Sequence, residues 1–438
     1  MHIRLATILL AVAAPTALPA QPLAPDAIES PAEALAADAA EYARAYGVAP
    51  AEAFRRLEAQ EASVPLVDRL AAAQPNLAGV TVEHGPDYRI VLNVTGDPAP
   101  DMVVATAPLG VPVVVRTGAR ATRGAVLAAI ATHQADIRAA LPSPPGMGLD
   151  PHDGTLVVLT RPGDLDDADE AATARRLEAI AGVPVKVRTW GDLDTKSQGE
   201  GAPLSPVTPA LSRGPAALAA PENSATAGQA RADGTVSSRI VGGGRVVGGD
   251  AEEANRFVCT SGFVVTDGAR TALSTAAHCP DTLAFVDRDR SSARLTMLGA
   301  WGATTQDVQI HDAGEPLEPL FHADADDRTR VVTTWRAHAA TRAGDFVCHR
   351  GMRTGYSCAE VQFPDYAPPG DLCAGPCPAT WVAVRGPRCR GGDSGGPIFM
   401  GSVAFGSMKG SSTENGTCKL YYYMSVDYLP SGWTLAHR

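Results

Sequence analysis

The chain has no cysteine before residue 259, no block of like charges and no apolar run long enough to cross a membrane. Each absence excludes something. With no polybasic arm and a formal net charge of −11 over 438 residues, a nucleic-acid surface is excluded. The apolar stretch in "MHIRLATILLAVAAPTALPA" is proline-broken and too short for a membrane span. Its basic start and its small residues near Ala20 fit a cleaved export signal over residues 1–20. No His-rich partner motif accompanies "CAGPC" at Cys373 and Cys377, so a metal site is the lesser reading there and no cofactor is expected.

What is present is uneven. All eight cysteines, Cys259, Cys279, Cys348, Cys358, Cys373, Cys377, Cys389 and Cys418, lie in the back half. An even number behind an export signal points to disulfides in an oxidising compartment, outside the cell or in a periplasm, although the count alone leaves the pairing open. Residues 21–76 are alanine-rich with helical spacing of Phe54, Leu57 and Leu66. Then "AGVTVEHGPDYRIVLNVTG" reads as a hairpin, followed by the strand "VPVVVRT" and the helix "TRGAVLAAIATHQADIRAAL". A second hairpin, "GLDPHDGTLVVLT", a helix and the strand "VPVKVRT" repeat the theme. The near-identical strands imply a duplicated α+β unit, so residues 21–189 are expected to hold two related subdomains.

Residues 190–239 are rich in Pro, Ser, Gly and Ala with little periodicity, the composition of a disordered linker open to proteolysis. Beyond them, short β-rich runs separated by turn residues predict an all-β domain over 240–438, a sandwich or barrel.

Two stretches in that domain carry chemistry. In "RCRGGDSGGPIF", Ser394 sits in a turn with glycine at 392, 395 and 396. A serine hydroxyl is a weak nucleophile until a base takes its proton and backbone N–H groups face the developing oxyanion. The base is supplied by His278 in "STAAHCP", because a neutral imidazole accepts a proton near pH 7 and can return it to a leaving amine. A third group must hold the imidazole in the right tautomer. Asp307, which opens the apolar strand "DVQIH", fits best; Asp312 is the runner-up, and Asp287 and Asp289 lie too near His278 in the chain.

"TAAHC" followed 116 residues after His278 by the serine of "GDSGGP" resembles the trypsin/chymotrypsin family of serine endopeptidases. The resemblance implies two six-stranded antiparallel β-barrels with the site between them. It implies Ser394 as nucleophile, His278 as general base and acid, and the N–H groups of Gly392 and Ser394 as oxyanion hole. It further implies that Asp393 turns inward to a buried cation. "CTSGFVV", "VCHRGMRTGYSC" and the front half, above all "LAGVTVEHGPDYRIVLNVTG", are similar to the secreted streptogrisin and alpha-lytic branch. In that branch an N-terminal pro-region assists folding and inhibits the protease until removed. By the same resemblance Cys259 pairs with Cys279, Cys348 with Cys358 and Cys389 with Cys418, leaving Cys373 and Cys377 for a local bridge.

"SSRIVGGG" places Ile240 after Arg239, so cleavage near Arg239 is expected, with the Ile240 amine or Arg353 as the cation for Asp393. Met352 stands where the branch carries an arginine. No aspartate marks the base of the specificity pocket; Arg388, Arg390 and Lys409 near it suggest a preference for acidic residues, and Met408 suggests an apolar pocket instead. The expectation is a monomeric, exported serine endopeptidase made as a zymogen, acting on proteins or peptides, with its own pro-region as intramolecular partner. The rival is a catalytically silent binding protein on the same scaffold.

Overall fold

The computed structural model describes residues 28–165, 167–190, 239–248, 257–324 and 328–438. The expected export signal and all but the edges of the expected linker lie outside the described residues. No helix among those described is long and apolar enough to cross a membrane.

The back half forms two closed β-barrels. In the first, Phe257–Thr260 pairs with Arg245–Gly248, then Leu283–Val286, Ser292–Trp301, Val308–Asp312, Thr271–Thr275 and Val264–Thr266 follow in order. Between its two halves the stretch 257–266 bends, and the N–H groups of Ser261 and Gly262 donate to Gly244 and Ser274 on opposite sides. That bent strand closes a ring of six. Strand Leu283–Val286 shows why the ring has an inside: Leu283 and Phe285 alternate inward and join Val246, Leu273 and Leu295 in one core.

The second barrel runs Phe346–Gly351, Pro397–Met400, Val403–Glu414, Thr417–Ser425, Trp381–Arg385 and Gly355–Ala367, each strand antiparallel to the next. Pairing of the first with the last closes it. The all-β, two-barrel architecture expected from the sequence is therefore present, as are the four disulfides Cys259–Cys279, Cys348–Cys358, Cys373–Cys377 and Cys389–Cys418.

The front half begins with α1 (Pro31–Tyr46), α2 (Pro50–Ala62) and α3 (Val64–Ala72). Helix α1 starts at Ser30, whose hydroxyl accepts from the Glu33 N–H while the Glu33 carboxylate accepts from the Ser30 N–H, and stops at Gly47. A four-stranded sheet follows, with Arg89–Thr95 between its hairpin partner Leu77–Glu83 and the parallel strand Val111–Ala119. The second unit repeats this plan: Gly146–Asp150 and Thr155–Thr160 form a hairpin, and Val185–Thr189 lies parallel to its second strand. "VPVVVRT" and "VPVKVRT" thus fill equivalent places. The crossovers differ, being strand Met102–Ala107 in the first unit and α5 (Asp167–Ala181) in the second. Helix α4 (Arg123–Ala139) packs into the second unit, where Val126, Ile130 and Ile137 share a core with Leu149, Leu156 and Leu177.

The halves are continuous at the second barrel. Gly146–Asp150 adds to the far end of Gly355–Ala367, so three front-half strands extend the barrel sheet. Glycine permits the approach, since a Cβ on Gly146 would lie 2.2 Å from the Tyr366 hydroxyl oxygen. Helices α1 and α2 insert Tyr42, Ala53 and Leu57 into the second-barrel core. Beside them a buried polar seam forms: Arg330 pairs with Glu29 and Asp38, and Arg336 with Glu61 and Asp345.

Candidate active site

His278, Asp307 and Ser394 come from three separate segments. The first barrel supplies two of them. His278 lies in the turn after Thr271–Thr275, about half-exposed, with its neighbour Cys279 tied to Cys259. Asp307 precedes strand Val308–Asp312 and is buried. The Nδ1 of His278 is 2.8 Å from Asp307 Oδ2, and the His278 backbone N–H donates to Oδ1 at 3.2 Å. Burial pushes the Asp307 carboxyl up, but the hydrogen bond and charge of His278 together with the Lys409 ammonium outweigh it and hold the group below the usual carboxylate range. An ionised Asp307 fixes the proton on Nδ1 and leaves Nε2 free to act as a base.

The turn carrying His278 has its own support. The Gln309 side-chain amide donates to the carbonyls of Ala276 and Cys279 at 2.9 and 3.1 Å, from the strand Asp307 opens. Sequence reasoning missed Gln309. Its signal was available, since Gln309 is two residues beyond Asp307 and so lies on the same face of the strand.

Ser394 reaches the site on a turn between Trp381–Arg385 and Pro397–Met400. Gly392 has φ +106°, and a Cβ there would sit 2.5 Å from Arg353 Cγ, so only glycine fits. First-barrel residue Thr260 clamps the turn: its N–H donates to the Ser394 carbonyl at 2.9 Å and its hydroxyl to the Gly392 carbonyl at 2.8 Å. Among the described residues the N–H groups of Gly392 and Ser394 donate to no protein acceptor. Two N–H groups beside a serine hydroxyl, left unpaired in a clamped turn, are what an oxyanion would require. No hydrogen bond joins Ser394 Oγ to His278 Nε2 among the described residues.

Asp393 is fully buried and accepts four hydrogen bonds, from the N–H groups of Arg353, Thr354 and Arg390 and from the Thr354 hydroxyl, all within 3.0 Å. Of the two alternative cations expected at this carboxylate, the Ile240 amine would exist only after cleavage at Arg239. Arg353 meets the carboxylate through its backbone, and Ile240 packs in the first-barrel core. The cause is local: the turn at 352–354 delivers two N–H groups and a hydroxyl to the carboxylate. Of the residues expected around the specificity pocket, Arg390 is exposed and Met408 is buried in the second-barrel core. Lys409 is buried as well, its Nζ 3.3 Å from Asp307 Oδ2.

No protein-family profile and no curated protein matches the chain. Solved structures do. The chain is similar to Thermobifida fusca Protease A, at 23% identity over 45% of this chain and 99% of that one, with a TM-score of 0.35. It is similar to a glutamic acid specific serine protease, at 24% identity over 45% of this chain and 100% of that one, TM-score 0.37. Cellulomonas bogoriensis chymotrypsin matches at 20% identity over 45% of this chain and 99% of that one, TM-score 0.35.

Proposed function

We propose that the chain is the precursor of a serine endopeptidase. Ser394 attacks the scissile carbonyl, His278 takes its proton and gives it to the leaving amine, and water deprotonated by the same imidazole then releases the acyl group from Ser394, with Asp307 stabilising the imidazolium in both halves. The N–H groups of Gly392 and Ser394 receive the negative charge that forms on the carbonyl oxygen. The observation that carries this reading is the 2.8 Å pairing of a half-exposed imidazole with a buried, ionised carboxylate, in a chain whose Ser394, in a glycine-rich turn clamped by Thr260, has unpaired N–H groups beside it. Hydrogen bonds at catalytic residues commonly close only once substrate is bound, and the reading requires that of Ser394 and His278.

The front half is the pro-region in this reading. Its support is the shared sheet at Gly355–Ala367 and the polar seam around Arg330 and Arg336. A two-barrel fold is made of pairings between distant segments and therefore folds slowly, and a partner that binds the native-like barrel speeds it. Cleavage near Arg239 then separates the parts, and N-terminal sequencing of the exported form tests that position.

The function is tested by incubating the exported protein with denatured casein and a peptide panel, beside its Ser394→Ala variant. Hydrolysis by the first and none by the second is expected. A correctly processed, disulfide-bonded chain that cuts nothing would support the silent binding protein instead.

A further inference from the structure

Lys409 is a buried charged group in direct contact with Asp307 for which the reaction just described has no use. It stands in strand Val403–Glu414 at a register break between Met408 and Gly410, and its side chain is buried. Its Nζ lies 3.3 Å from Asp307 Oδ2, the same oxygen that accepts from His278 Nδ1, and 4.6 Å from the centre of the Trp381 ring. A buried lysine is unfavourable unless something offsets the loss of water. Here a carboxylate on one side and an aromatic face on the other do so.

We propose that Lys409 is a positioning residue for the peptidase reaction: its ammonium braces the Asp307 carboxylate and sets how acidic the solution must be before His278 is protonated and lost as a base. The proposal rests on the serine-peptidase reading above. A lone carboxylate stabilises an imidazolium strongly. With an ammonium on the same oxygen, that pair carries no net charge, and protonating His278 adds a second cation beside the first. The imidazole therefore stays neutral, and active, to lower pH. The titratable groups that face Asp307 are His278, Lys409 and Tyr422, whose phenol is raised by burial and then by the Asp307 charge and so stays neutral through this range. Burial draws the Lys409 amine down while Asp307 opposes that shift.

The pH dependence of kcat/KM on a peptide substrate, measured on enzyme processed from the full chain, decides the matter. Replacing Lys409 by Met should move the acid-side midpoint up by about one to two pH units, and Lys409→Arg should restore it. Superimposable profiles for folded wild type and Lys409→Met would overturn the proposal, because a lysine that merely fills space leaves the midpoint where it was. Wild-type enzyme that reacts with no fluorophosphonate at Ser394 marks failure of the peptidase reading instead. In that event, or if Lys409→Met does not fold, the wild-type chain still answers. It has four lysines, Lys186, Lys196, Lys409 and Lys419, few enough to resolve their side-chain carbon resonances by NMR. The Lys409 signal should report an ammonium throughout the His278 titration; a neutral amine at pH 7 would overturn the proposal.

Discussion

In the proposed peptidase, chemistry at the scale of single residues depends on one carboxylate. Asp307 alone reaches His278, with both its oxygens, while Asp312 accepts from the Gly314 N–H in an exposed turn. Asp307→Asn should therefore lower kcat by about ten-thousand-fold by disturbing the tautomer of His278, and Asp312→Asn should leave it within twofold; steady-state kinetics on one peptide separates them. Gly392→Ala forces a side chain into a left-handed backbone against Arg353. In the proposed reaction the N–H it displaces acts on the transition state, so kcat should fall by about a hundred-fold or more while KM changes little. An equal loss in KM would mean that the turn shapes substrate binding instead. The His278–Asp307 pairing and the glycine-rich turn of Ser394 were legible in the sequence because each residue is marked by its immediate neighbours: a cysteine, the start of an apolar strand, a run of glycines. The role of Lys409 was not. Its contact spans 102 residues of chain and depends on a register break, neither of which leaves a local pattern.

Elements meet most consequentially where the front half touches the second barrel. Asp38, on α1, binds Arg330, the Tyr356 hydroxyl and the Gly401 N–H with no exposure to water. Removing it leaves Arg330 buried with Glu29 as its remaining carboxylate. Uncleaved Asp38→Ala precursor should lose on the order of 3 kcal/mol of stability in urea unfolding. An unchanged midpoint would show that the seam is solvated in solution. The elements themselves were largely readable from periodicity and turn residues, including the two equivalent strands "VPVVVRT" and "VPVKVRT". The assignment of α4 to the second unit was not, because its apolar face fits either hairpin until the second one is built against it. The pairing of Gly148 with Tyr366 was equally hidden, since an edge strand joining a barrel more than two hundred residues away shows no pattern beyond two glycines.

For the whole molecule, acid stability follows from buried imidazoles. Burial draws His311 down to about 4 and His349 to about 4, and lowers His338. The unfolded chain binds protons at these groups near pH 6.5, the folded chain at His311 and His349 only nearer pH 4, and at His338 only below its ordinary range. Between those limits the unfolded state holds more protons at these three rings, so their contribution to stability falls as pH falls through that window, with His152, raised by its pairing with Asp150, opposing it. The urea midpoint should drop steadily from pH 7 to pH 4.5, before Asp307, held low by His278 and Lys409, begins to titrate. A flat profile would mean that these rings are hydrated or already charged in the folded state.

The central claim is that Ser394 is a nucleophile activated by His278. Reaction of the processed protein with a fluorophosphonate, followed by peptide mapping, tests it most directly. The account predicts one adduct per chain, located on Ser394, formed quickly by wild type and far more slowly by Asp307→Asn. Labelling at another residue, or none in a processed and disulfide-bonded chain, would contradict it.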